Sequence, residues 1–202
     1  MFHPSKIIAI GLNYYDHAKE VGMEIPENPL IFMKPPTSVI GNRETILYPS
    51  QTRELHYEGE LGIVIGTRAR NVNEEDSKKY IAGYTCANDI TARDLQRMDG
   101  QWTRSKSFDT FCPLGPRIVK DVDPTNLAIA TRVNGVTKQE SNTSQMIFNA
   151  YKLVSFISAI MTLLPGDVIS TGTPPGIGEL RVGDVVEVEI EGIGILRNTV
   201  GR

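Results

Sequence analysis

The stretch Leu55-His56-Tyr57-Glu58-Gly59-Glu60-Leu61-Gly62-Ile63-Val64-Ile65-Gly66 decides how the rest of the chain is read. Its pattern predicts a strand. Side chains alternate faces along a strand, so Leu55, Tyr57, Leu61, Ile63 and Ile65 point one way and His56, Glu58 and Glu60 the other. Two carboxylates side by side repel unless something neutralises them. A hard divalent cation, which prefers oxygen ligands, does this well. A half-exposed strand with a solvated acidic face accounts for the same pattern, and on this stretch alone both readings stand.

Outward from that strand the chain divides into many short strands and one long helical pattern. Residues 6–12 read as a buried first strand, followed by strands at 30–33, 46–49 and 81–87. Residues 127–133 and 136–140 flank Asn134-Gly135, whose tolerance of positive φ suits a type I′ turn and a β-hairpin. Residues 168–170, 185–191 and 195–200 supply the last strands. Residues 147–164 repeat apolar side chains at helical spacing (Ile147, Tyr151, Val154, Ile157, Met161, Leu164), a stripe that reads as core packing. Asn73 caps a predicted helix start, and residues 101–113 read as a loop. The whole is a mainly β fold with appended helices (α+β) in one domain, residues 1–202. It lacks the βαβ alternation of a Rossmann fold or a β/α barrel.

Several side chains outside the opening strand carry chemistry. Asp89 follows a mostly apolar strand, where a charge needs a partner, and it is the natural third oxygen ligand beside Glu58 and Glu60. Asn13 or Asp16 caps a short predicted helix on which His17 and Glu20 share a face. A carboxylate beside an imidazole fixes its tautomer, as a general base requires, although a surface His–Glu pair has the same spacing. Lys34 ends a strand and is suited to an anionic group. Lys106 lies among Trp102, Phe108 and Phe111, surroundings in which an ammonium steadies an oxyanion; for both lysines a solvated side chain is the plainer reading. Arg93 and Gln96 fall about a helical turn beyond Asp89. The loop Thr171-Gly172-Thr173-Pro174-Pro175-Gly176-Ile177-Gly178 lacks both the P-loop and the GxGxxG patterns, which argues against nucleotides, while its hydroxyls and N–H groups suit a small carboxylate.

Bulk properties narrow the classes further. The 202 residues, 40% hydrophobic and 22% charged, suffice for a packed core. A net charge of -3 gives no sign of a nucleic-acid partner. Cys86 and Cys112 have no metal-ligand spacing and predict free thiols in a reducing compartment. No segment is long and apolar enough for a signal peptide or a membrane span, so the expected setting is cytoplasmic.

Taken together, Asn13-Tyr14-x-x-His17-x-x-Glu20, Glu58-x-Glu60, Asp89, Ser105-Lys106-Ser107-Phe108 and Thr171-Gly172-Thr173-Pro174 resemble the fumarylacetoacetate hydrolase family over nearly the whole chain. The likeness is to its small members with acylpyruvate hydrolase, oxaloacetate decarboxylase or hydroxymuconate isomerase activities. It implies a mixed β-roll that dimerises and binds Mg²⁺ or Mn²⁺, with Ca²⁺ as a crystallographic stand-in. The optional N-terminal domain of larger members is expected to be missing. By resemblance Glu58, Glu60 and Asp89 are metal ligands, and His17 and Glu20 are a dyad on a lid helix. Lys106 serves the reacting carbonyl, and Arg93, Gln96, Thr173 and Lys34 contact substrate. The expected reaction is hydrolysis of an acylpyruvate, a 2,4-dioxo acid, to pyruvate and a carboxylic acid. Decarboxylation of oxaloacetate and isomerisation of a hydroxymuconate are the alternatives within the family. A catalytically silent metal-stabilised binding domain is the alternative outside enzymes.

Overall fold

The computed structural model describes residues 3–202, and in it the stretch that reads as one strand is two. Leu55–Tyr57 pairs with Gly178–Leu180 and Thr91–Ala92 in a three-stranded sheet. Gly59–Ile65 lies inside a seven-stranded sheet between Ile81–Asn88 and Val168–Ser170. Glu58 stands at the corner. Gly59 beside it lets the strand pack closely on Ala128–Val133 of another sheet, because a Cβ there would come within 2.1 Å of Thr131 Oγ1.

The seven-stranded sheet runs Ile31–Lys34, Ile7–Ile10, Val168–Ser170, Gly59–Ile65, Ile81–Asn88, Cys112–Val119, Val39–Ile40. A five-stranded sheet runs Val136–Asn142, Ala128–Val133, Val185–Ile190, Gly194–Gly201, Thr45–Leu47. Pairing is mixed: Ile7–Ile10 joins Val168–Ser170 in parallel, bringing together segments far apart in the chain, while most other neighbours are antiparallel. This agrees with a mainly β fold with few helices.

Every residue of Gly59–Ile65 is buried. Leu61, Ile63 and Ile65 enter a core shared with Val188, Ile190, Leu196 and the inward face of helix α4 (Ala150–Ile160). Val64, on the other face, packs with Ile7, Val168, Ala87 and Leu114. The half-exposed strand with a solvated acidic face is therefore not what forms: the acidic face is as dry as the apolar one.

The hairpin at Asn134-Gly135 forms as predicted, with φ of 52° and 78° at the two turn residues. Helix α4 is shorter than its apolar stripe. It begins after Asn149, whose Oδ1 accepts from the N–H groups of Tyr151 and Lys152, so Ile147 lies outside it. Leu163, rather than Leu164, is the buried residue past its end. Helix α1 (Tyr15–Val21) has Tyr14 at its N-cap with no side-chain cap. Asn13 is instead bonded to Phe148 and to the Thr171 carbonyl. Asn73 makes no side-chain cap either, and the turn after it, Glu74–Tyr80, is 3-10 helix. Residues 101–113 are not simply loop. They hold helix α3 (Thr103–Lys106) and the start of strand Cys112–Val119. Helix α2 (Arg93–Asp99) follows Thr91–Ala92.

Candidate active site

Glu58 at the sheet corner, Glu60 one pleat on and Asp89 just past the end of the adjacent strand bring their carboxylates together. One oxygen of each lies within 4.8 Å of the others. All three residues are buried, at 7%, 1% and 2% exposure. Backbone pairing fixes their spacing: Asp89 N–H donates to the Glu58 carbonyl at 2.8 Å, and Glu58 N–H donates to Asn88 Oδ1 at 3.0 Å.

Buried carboxylates need partners, and three cations supply them. Lys106 Nζ donates to Glu58 Oε2 at 2.8 Å and to Asp89 Oδ2 at 2.5 Å. Lys34 Nζ donates to Asp89 Oδ1 and, at 3.2 Å, to the Ile90 carbonyl. Arg93 donates to Glu58 Oε1 and to Gln96 Oε1. Among the described residues no cation pairs with Glu60. Its Oε2 accepts from Ser170 Oγ at 2.5 Å and from Gly172 N–H at 2.9 Å.

The electrostatics follow this distribution. Burial works to raise the Glu58 carboxyl, but the charges of Lys106 and Arg93 outweigh it and hold it well below the usual carboxylate range. Burial, then the charges of Asp89 and Glu58, push Glu60 well above that range. Burial works to lower the Lys106 ammonium, and Asp89 and Glu58 more than reverse it.

A cavity of about 340 Å³ opens onto the cluster. Ile10, Leu12, Leu30, Phe32, Trp102 and Ile177 form its apolar wall, and His17, Glu58, Glu60, Arg93, Gln96, Arg97, Lys106 and Thr173 its polar one. His17 Nδ1 lies 2.9 Å from Glu20 Oε2. An imidazole that donates Nδ1–H to this carboxylate carries its lone pair on Nε2. Thr173 Oγ1 donates to the Gly59 carbonyl and accepts from Gln139 Nε2, which leaves it one lone pair.

The structure thus brings His17, Glu58, Glu60, Arg93, Gln96, Lys106 and Thr173 to one cavity, with Glu20 behind His17 and Asp89 behind Lys106. Lys34 does not line the cavity. Its ammonium is sealed beneath Asp89, so it compensates charge rather than facing solvent. Sequence reasoning missed Ser170, whose only signal is a polar residue in an otherwise buried strand, Gln139, the buried residue of a mostly exposed strand, and Arg97, one residue past Gln96.

The donor set suits a hard divalent cation. Three carboxylates converge, and among the described residues no softer ligand joins them and no cation pairs with Glu60. Mg²⁺ and Mn²⁺ both accept such a set.

The fumarylacetoacetate (FAA) hydrolase C-terminal family matches residues 6–201. The chain belongs to this family. An uncharacterized protein of Methanocaldococcus jannaschii is 64% identical over 197 residues, which cover 98% of this chain and 83% of that protein. Oxaloacetate tautomerase Fahd2a, mitochondrial, of Rattus norvegicus is 45% identical over 208 residues, covering 98% of this chain and 66% of the relative. The crystal structure of 5-carboxymethyl-2-hydroxymuconate delta-isomerase from Mycobacterium smegmatis matches with a TM-score of 0.94 at 50% identity, over 100% of this chain and 80% of that one. The second and third of these are named for moving protons and double bonds. They support the isomerase alternative better than acylpyruvate hydrolysis. No helix of the described residues is long and apolar enough to cross a membrane.

Proposed function

We propose that this chain catalyses keto–enol tautomerisation of a 2-oxo diacid of the oxaloacetate type, with hydroxymuconate-like diacids as longer substrates of the same site. The observation that carries this reading is the His17–Glu20 dyad at the cavity wall beside three carboxylates, of which Glu58 and Asp89 are paired with Lys34, Lys106 and Arg93 while Glu60 is not. With Glu60 ionised to take a metal, the three carboxylates and three cations sum to zero formal charge. A divalent ion would add two positive charges, which the two carboxylates of a diacid match.

Glu58, Glu60 and Asp89 would hold Mg²⁺ or Mn²⁺, which when bound supplies Lewis-acid withdrawal of charge from the reacting oxygens. The rest falls to side chains. His17 Nε2 takes a proton from C3 of the keto form, or returns one to C3 of the enol, while Glu20 holds Nδ1–H and steadies the imidazolium. Lys106 Nζ stands where charge develops on the C2 oxygen. Arg93, Gln96 and Thr173 orient the carboxylates. The apolar wall of Leu30, Phe32, Trp102 and Ile177 keeps bulk water from the enolate. The net change is one proton moved between carbon and oxygen, with no carbon–carbon bond broken and no water consumed.

The test is a substrate panel with Mg²⁺ or Mn²⁺: oxaloacetate enol, a hydroxymuconate and an acylpyruvate, with absorbance of the enol, CO₂ and pyruvate read separately. Enol loss without CO₂ or pyruvate is expected. Pyruvate release from the acylpyruvate without enol turnover would reject the reading in favour of a hydrolase.

A further inference from the structure

Helix α1 carries the dyad but is too short to hold its own place. It has seven residues and no side-chain N-cap, and isolated helices of that length are marginal in water. Its position is set from outside. At one end Ser141 Oγ donates to Asp16 Oδ2 at 2.6 Å. At the other, the backbone N–H of Gly176 donates to the two carboxylate oxygens of Glu20, at 3.1 and 3.3 Å.

Gly176 is itself held on two sides. Its φ is +92°, and a Cβ would come within 2.1 Å of the Lys138 carbonyl oxygen. Lys138 is the extra residue of a bulge, since Thr131 pairs with Gln139 and Arg132 with Thr137. Only glycine lets the loop press this closely on the bulged strand. On the other side the Gly176 carbonyl accepts from Tyr57 Oη at 2.9 Å. Tyr57 is buried at the end of Leu55–Tyr57, directly opposite Gly178 in register. A relay of contacts results: Tyr57 hydroxyl to Gly176 carbonyl, Gly176 N–H to Glu20 carboxylate, Glu20 to His17 Nδ1.

We infer that Tyr57 is a positioning residue for the dyad: it clamps Gly176, whose N–H orients Glu20 and, through Glu20, aims the His17 imidazole into the cavity. The kinetic consequence rests on the proton-transfer role proposed for His17 above. Glu20 is nearly half exposed, so without the clamp its carboxylate has solvent and many rotamers to choose from.

Tyr57→Phe removes one hydroxyl and keeps the ring. A single hydrogen bond shifts such a population by about two- to tenfold. The expected result is a fall in kcat for enol turnover of about that factor, with KM and Mn²⁺ affinity unchanged. Exchange of the Gly176 amide, followed by NMR, should accelerate by a similar factor. In a Glu20→Ala background the same substitution should bring no further loss of kcat. Equal losses in both backgrounds, an unchanged kcat in the wild-type background, or unchanged Gly176 exchange would overturn the inference. If the wild-type protein turns over nothing on the panel, the proposed function fails, and Gly176 exchange alone still decides the clamp.

Discussion

Lys34→Met removes a sealed ammonium while keeping the stem that packs around it. Lys34 donates to Asp89 Oδ1 and to the Ile90 carbonyl, and neither Lys34 nor Asp89 meets solvent. Removing one member of a buried ion pair costs ~3–5 kcal/mol, because the other charge is left without its partner. Asp89 keeps Lys106 on its second oxygen, so the lower end, ~3 kcal/mol, is expected. In a domain of this size each kcal/mol moves Tm by about 2–4 °C, which gives a drop of roughly 6–12 °C in excess chelator. A divalent cation at a hundred times its Kd stabilises the wild type by ~2.7 kcal/mol. In the variant the cation also replaces the missing positive charge beside Asp89, so its stabilising increment should exceed the wild-type one. Thermal unfolding followed by circular dichroism, in chelator and across a Mn²⁺ titration, measures both. A loss under ~2 °C in chelator, or a metal increment no larger than that of the wild type, refutes this account of Lys34.

His17→Ala should lower enol turnover by about 10²–10⁴ while Mn²⁺ affinity, read by calorimetry, stays within a factor of two or so; a parallel loss of metal would show that His17 supports the cluster instead. Glu58→Ala should abolish metal-dependent turnover, and a variant retaining both metal and activity would remove Glu58 from the ligand set. Metal uptake should strengthen with pH across the neutral range, by up to about tenfold per unit, because burial and the charges of Asp89 and Glu58 raise the Glu60 carboxyl and its proton must leave before a cation can bind. Affinity that is flat with pH would mean that Glu60 is already ionised. Burial pushes the Cys86 and Cys112 thiols up to about 12, so a thiol reagent should label neither in the folded protein near pH 8 and both after denaturation.

Much of the fold was legible where local chemistry and tertiary demand agree. Asn134-Gly135 tolerates positive φ at both positions and separates two segments of strand length, so the hairpin follows from sequence. The stripe Val154, Ile157 faces the core as its spacing requires. Strand Cys112–Val119 stayed hidden because Pro113, Gly115 and Pro116 contradict an interior strand; pairing with Ile81–Asn88 overrides them. Lys106 read as a loop residue because one turn of helix has no periodicity to display. At the site, the types and order of the acids, the His–Glu spacing and Lys106 were visible. What no spacing reveals is the partner of each. Lys34 looks like any solvated lysine until the fold seals it under Asp89, and Gln139 gains meaning only when a bulge brings it to Thr173 and Gly59.

The corner at Glu58 has a kinetic side. At Glu58 the chain leaves the three-stranded sheet to enter the seven-stranded one, and the Glu58 carbonyl is fastened to Asp89 N–H across the same corner. The cluster is complete only once Lys34, Arg93, Lys106 and Ser170, from four other segments, have docked around the acids. Interactions completed that late are absent from the folding transition state, so they slow unfolding and leave the folding rate alone. Saturating Mn²⁺ should therefore bend only the unfolding arm of a chevron plot, and the cation would act as a bolt slid home after the door has closed.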